Sequence, residues 1–267
     1  MGADQRWAAR RGIGLLATTG VLLLGAVGGE ALATPSGPLG PAPKAVTVVG
    51  LGDSVTAAAH CGCTGFIQDY ADLLAHATRA TVHSVNLGAN GQTSGGLLAA
   101  VQPGQPDVDP ISTASIVVIT IGANDFVDEQ PAIQSGHCGG RDNLGCTTAT
   151  LSTVSRNVTA VIGRVRALRS GAAITIKVTG YWNVFEDGAV ARRDYSAAFR
   201  GDSDVLTRRL NDTLRTASAT THAHYVDLYG PFKSDGDADD TALLAADGDH
   251  PNAAGHRAIA RALAGAS

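Results

Sequence analysis

Val46-Thr47-Val48-Val49-Gly50-Leu51-Gly52-Asp53-Ser54 is a short, apolar, β-branched run that stops at Gly-Asp-Ser. Such a run suits a strand covered on both faces of a sheet. Gly52 lets the backbone turn sharply, and Asp53 can tie the turn with a side-chain to backbone hydrogen bond. A serine hydroxyl delivered at the carboxyl end of a buried strand is where open α/β sheets carry their chemistry. On its own the tripeptide reads as ordinary strand-end turn chemistry, so its meaning depends on what the rest of the chain brings to it.

Downstream, helical and extended patterns alternate. Phe66, Ile67, Tyr70, Leu73, Leu74 and Ala77 recur at helical spacing within 65–78, and Val82 to Leu87 reads as the second strand. A short helix is expected over Ser94 to Val101, and Ser115 to Ile121 is the most strand-like segment of the chain. Val154, Val158, Val161, Ile162 and Val165 share one face of a helix over 150–168, followed by a fourth strand over 174–179. A helix over 204–219, with Ser203 as its N-cap, precedes a fifth strand over 224–228. Asn252 opens a final helix over 253–264. Five strands alternating with helices call for a parallel sheet with right-handed crossovers and helices on both faces, a three-layer α/β/α sandwich. All strands then end on one side, so the loops after them can converge.

The first 33 residues read as a leader outside this domain. Arg6, Arg10 and Arg11 precede an apolar run from Ile13 to Val27, and Ala31-Leu32-Ala33 supplies the small residues a signal peptidase needs. That run is short for a bilayer span, although an uncleaved N-terminal anchor is the alternative. Residues 34–44 carry four prolines and two glycines, an extended linker into a domain at 45–267. Without the leader, the net charge moves from −4 to about −5. A mildly acidic domain with no basic cluster argues against a nucleic-acid partner. The chain is expected to be secreted, monomeric and without a membrane span once mature.

Four cysteines agree with export into an oxidising compartment. Three pairings are open to them; sequence neighbours are the economical choice for Cys138 with Cys146, whereas a Cys61–Cys63 bridge would close a very tight ring open to strain. No compact Cys/His set completes a tetrahedral metal site.

The strand ends and the approach to the last helix carry four polar blocks. They are Gly52-Asp53-Ser54, the stretch from Asn86 to Ser94, Gly122-Ala123-Asn124-Asp125, and Asp247-Gly248-Asp249-His250-Pro251-Asn252. A nucleophilic serine needs a base, and the base needs an orienting acceptor. Asp247 and His250 are close enough in sequence for the carboxylate to hold one ring nitrogen while the other faces Ser54. An oxyanion needs donors, for which the Ser54 N–H, the Gly91 N–H and the Asn124 amide are candidates. Asp249 is a rival orienter, and Asn124 with Asp125 could simply cap a turn.

Together the four blocks resemble the GDSL serine esterases and lipases, also called SGNH hydrolases, over Val46 to His256 and in that family's block order. The resemblance implies a flavodoxin-like SGNH-hydrolase fold and a carboxylic-ester hydrolase. It assigns Ser54 as nucleophile, His250 as base, Asp247 as orienter, and Ser54, Gly91 and Asn124 as oxyanion donors, with Gly91 rather than Gly88 as the glycine of the second block. The Cys138 to Cys146 loop resembles a disulfide loop of secreted actinobacterial-type members, whereas Cys61-Gly62-Cys63 departs from the pattern. No metal or organic cofactor is implied. Substrates range over small, lipid and acylated-carbohydrate esters, with a carbohydrate O-acetylesterase and a non-catalytic cell-wall module as alternatives.

Outside the blocks, Trp182 and Phe185 after the fourth strand are candidates for a substrate pocket, or for a loop folded over by its own aromatics. The acidic run over 235–240 does not match calcium-loop spacing and reads as a solvated loop. His60 and His256 have no block around them and read as structural.

Overall fold

The computed structural model describes residues 45–234, 236 and 238–266. The leader and the linker, along with Asp235 and Asp237 of the acidic run, lie outside the described residues. Within them, five strands form one parallel sheet: β1 Val46–Gly52, β2 Val82–Gly88, β3 Ile116–Thr120, β4 Thr175–Thr179 and β5 His224–Val226. Their order is β2-β1-β3-β4-β5, the expected flavodoxin-like arrangement. Nine α-helices accompany them among the described residues: α1 Phe66–Thr78, α2 Ser94–Ala100, α3 Val108–Thr113, α4 Gln130–Gln134, α5 Thr148–Leu168, α6 Gly188–Asp194, α7 Ala197–Thr220, α8 Tyr229–Lys233 and α9 Ala253–Gly265.

The chain leaves β1 towards β2 on one side and returns to β3 on the other, so the crossovers change faces. Helices α1 and α9 pack together in one layer, and α2, α3, α5 and α7 in another. Covered on both faces, the central strands carry a run of fully buried apolar residues: Val48, Val49, Leu51, Val117, Val118 and Ile119. The reversal of order between β1 and β3 is the point where such sheets open a crevice at their carboxyl ends. Gly52 is indispensable there, because its φ is +139° and an added Cβ would lie 1.9 Å from the Thr120 carbonyl oxygen.

One helix boundary differs from the sequence expectation. Ser196, not Ser203, caps α7 by accepting from the Phe199 N–H at 3.1 Å, so the helix starts well before Asp204. Ser203 is buried inside it and donates to Asn183. Both expected disulfides are formed, Cys61–Cys63 and Cys138–Cys146. No helix among the described residues is long and apolar enough to cross a membrane.

Candidate active site

Ser54 begins a tight turn directly after β1. Asp53 holds that turn to the sheet, its N–H donating to Thr120 at 3.0 Å and its Oδ1 accepting from the Val55 N–H at 3.0 Å. The hydroxyl of Tyr181, the second residue after β4, donates to Asp53 Oδ2. Asn211 grips the Tyr181 backbone from both sides at 2.8 Å, which fixes the phenol in place. Burial pushes the Asp53 carboxyl up to about 7, against the downward pull of the Tyr181 and Val55 hydrogen bonds. Between the ordinary carboxylate range and about 7, the folded protein keeps a proton that the unfolded chain has released. Stability from this group is therefore lost as pH rises through that window, by an amount on the order of 4 kcal/mol at full ionisation. Thermal unfolding of Asp53→Asn should accordingly fall less steeply than wild type between pH 5 and pH 8. Parallel pH slopes in the two proteins would contradict this.

The loops after β2 and β3 are bound to each other and to β1. Ala89 N–H donates to the Gly52 carbonyl at 2.9 Å, and Asn124 Nδ2 donates to the Gln92 carbonyl at 3.0 Å. Gly91 lies between these two ties. Asp125 takes the Ser94 N–H at 2.8 Å and the Ser94 hydroxyl at 2.6 Å, so the Asn124-Asp125 pair bridges two strand ends and does more than cap its own turn. The two glycines of the second block have different jobs. A Cβ on Gly88 would meet the Ala57 nitrogen at 2.4 Å, whereas one on Gly91, with φ at +70°, would meet nothing within 4 Å. Gly88 serves packing; Gly91 presents open backbone. The N–H groups of Ser54 and Gly91 find no acceptor among the described residues, and one N–H of the Asn124 amide is also left over.

Asp247 organises the last block. Its Oδ1 accepts the Asp249 and His250 N–H groups, each at 3.1 Å, while its Oδ2 lies 2.8 Å from His250 Nδ1. Burial pushes this carboxyl up, but the backbone and ring hydrogen bonds of His250 and the Asp249 N–H outweigh it, and the net shift is downward. An ionised Asp247 assigns the proton to Nδ1 and leaves Nε2 as the acceptor. Asp249 Oδ2 stands farther from Nδ1, at 3.6 Å. Ser54 and His250 make no direct hydrogen bond here, a contact that in apo sites often closes only around substrate. Asn252 caps α9 as expected, accepting from Ala254 at 2.8 Å and Gly255 at 3.1 Å.

Beside Ser54 is a recess of about 30 Å³, lined by Ser54, Val55, Asn124, Trp182, Val184 and Asp249 among others. Trp182 therefore reaches it, although its ring is 1% exposed and stacked on Phe232 at 4.2 Å. Phe185 does not. It stacks on Phe199 at 5.7 Å inside the core. The aromatic run is mainly a loop folded in by its own side chains.

His256 is structural, as expected: fully buried, its Nδ1 accepts the Phe66 N–H at 3.3 Å at the start of α1. Burial, with a smaller contribution from His250, lowers it to about 4. His60 is a different matter. Its ring stacks on His250 with centroids 4.7 Å apart, and its Nδ1 lies 3.6 Å from Asp247 Oδ2. The sequence offers only its position next to the unusual Cys61-Gly62-Cys63 as a hint.

Comparison with known proteins is consistent with this arrangement. Residues 51–258 match the model of the GDSL-like lipase/acylhydrolase family. A lipase from a goat rumen metagenome is 16% identical with a TM-score of 0.64, over 82% of this chain and 96% of its own. An acetylxylan esterase from Geobacillus stearothermophilus, solved as a catalytic mutant, is 19% identical with a TM-score of 0.58, over 84% and 94%. A lipase/acylhydrolase from Enterococcus faecalis is 17% identical with a TM-score of 0.54, over 82% and 93%. At these identities the likeness is one of fold. No curated protein sequence matches the chain.

Proposed function

The chain belongs to the GDSL-like lipase/acylhydrolase family and is a carboxylic-ester hydrolase; from that premise we propose that it works by two-step acyl transfer through Ser54, His250 and Asp247. His250 Nε2 takes the Ser54 proton as the hydroxyl attacks the ester carbonyl. The oxyanion that forms is held by the Ser54 N–H, the Gly91 N–H and the spare N–H of Asn124. His250 returns the proton to the leaving alcohol, then activates water to release the acid. The observation that carries this reading is the 2.8 Å contact of His250 Nδ1 with Asp247 Oδ2, which leaves Nε2 basic at the sheet edge where β1 delivers Ser54.

Asn124→Ala should lower kcat by about 10²–10³ with KM little changed, the usual cost of one oxyanion donor. Steady-state kinetics on a p-nitrophenyl ester check it. An equal rise in KM at constant kcat would instead make Asn124 a ground-state binding residue.

The recess of about 30 Å³ favours short acyl groups, because it has room for only about two or three water molecules. Acetyl esters, including O-acetylated carbohydrates, fit it better than long-chain lipids. In a p-nitrophenyl series on the purified protein, kcat/KM should fall at least about tenfold from acetyl to octanoyl, since forcing the extra methylenes against the walls of a filled recess costs about 1–3 kcal/mol and each 1.4 kcal/mol is about tenfold in rate. A maximum at octanoyl or longer would reverse this assignment and make the protein a lipase. A non-catalytic cell-wall module would show no hydrolysis and no labelling of Ser54 by a fluorophosphonate. Export through the N-terminal leader completes the proposal, and the two disulfides support it.

A further inference from the structure

We propose that His60, Asp247 and His250 form an inhibitory site for a zinc-class transition-metal dication, which switches hydrolysis off by capturing the general base; the inhibition rests on His250 and Asp247 being base and orienter as read above. One ligand atom from each of the three residues lies within 4.8 Å of the others. Two of them already crowd one carboxylate oxygen: His250 Nδ1 at 2.8 Å and His60 Nδ1 at 3.6 Å from Asp247 Oδ2. Around a tetrahedral zinc with bonds near 2.1 Å, ligand atoms sit about 3.4 Å apart, so only small side-chain rotations separate this grouping from a coordination shell. The side chain that must move most is His60, which stacks on His250 on one side and is 62% exposed.

The donor chemistry fits the metal class. Two imidazoles and a carboxylate make a zinc-binding set that leaves the fourth position to water. Asp249, whose carboxylate lies 3.6 Å from His250 Nδ1, adds negative charge at the same place. The backbone holds His60 there in advance. Its φ is +57°, a left-handed conformation that side-chain-bearing residues adopt at a cost, and the Cys61–Cys63 bridge closes the segment immediately after it.

Coordination is incompatible with base catalysis for a simple reason. The metal takes the Nδ1 lone pair, so the proton that Nδ1 now donates to Asp247 moves through solvent to Nε2. The ring stays neutral, but its Nε2 becomes an N–H donor and can no longer accept the Ser54 proton. Asp247, bound to the metal, loses its hold on the ring at the same time.

The test uses the disulfide-intact protein, zinc sulfate, and two readouts. Competition against a chromophoric zinc chelator measures binding directly, and ester hydrolysis measured against each protein's own rate in EDTA gives inhibition. Wild type and Ser54→Ala should both bind one zinc per chain, and wild-type hydrolysis should fall at least about tenfold over the same zinc range and recover on adding EDTA. His60→Asn, which keeps a residue tolerant of the left-handed backbone, and His60→Ala should both weaken binding and inhibition at least about tenfold. Equal zinc affinity in wild type and both His60 variants, or no one-to-one binding at 100-fold excess zinc, would overturn the site. A wild type that binds zinc through His60 yet hydrolyses no ester would instead leave the site standing and sink the functional reading.

Discussion

Replacing Ser54 by alanine is expected to lower ester turnover by on the order of 10⁶, the size of effect that loss of the nucleophile has in triad hydrolases. The fold should survive almost untouched. The Ser54 backbone carries the turn, accepting the Ala59 N–H at 3.0 Å, while its hydroxyl is bonded to no described residue. Removing a half-buried hydroxyl with no partner leaves no buried group unsatisfied, so the stability change should stay within about 0.5 kcal/mol. Wild-type and variant proteins with equal melting temperatures, and rates on p-nitrophenyl acetate that differ by several powers of ten, are the expected pair of results. A folded variant retaining the wild-type rate would remove Ser54 from the chemistry altogether.

The sheet was legible in the sequence because burial on both faces leaves a strong local mark. The apolar runs of β1 and β3 fall at the centre of the sheet, while β2, β4 and β5, with polar residues such as His83, Asn86, Lys177 and His224 among them, carry a weaker mark. The residues proposed for catalysis were legible for a related reason: each sits at a strand end or beside the N-cap of α9, where position in sequence translates directly into position at the sheet edge. What escaped was short or long-range. Helices α4, α6 and α8 have five to seven residues, too few for a helical period to show. The first turns of α7 were missed because Ala197, Ala198 and Gly201 dilute its apolar stripe, leaving Phe199 as the one large anchor. Tyr181 joins Asp53 across 128 residues, and His60 meets Asp247 only because the turn after β1 and the loop before α9 share one edge. No local pattern encodes such contacts. Phe185 is the opposite case: a rare aromatic near a strand end fits a pocket wall and a packed loop equally well in sequence, and here it stacks on Phe199.

Asp247→Asn should lower kcat by about 10⁴, the size of effect that the same change has in a serine protease triad. The loss follows from the hydrogen-bond network rather than from missing bulk. Asp247 now accepts three N–H groups: those of Asp249 and His250 in the backbone, each at 3.1 Å, and His250 Nδ1–H at 2.8 Å. An asparagine has one acceptor oxygen and one donor amide in their place. Turning the oxygen to the ring would press the amide against two backbone donors, so the oxygen stays on the backbone and the amide faces Nδ1. His250 must then accept at Nδ1 and carry its proton on Nε2, where it cannot take the Ser54 proton. Asp249→Asn is the matched control, since Asp249 Oδ2 stands 3.6 Å from the ring and its loss leaves the Nδ1–H to Asp247 bond in place. That variant should keep kcat within about tenfold of wild type, and both should remain folded. If Asp249→Asn were instead the crippled one, Asp249 would be the orienter in the closed, substrate-bound state, and the 2.8 Å contact of Asp247 would belong to the resting enzyme alone.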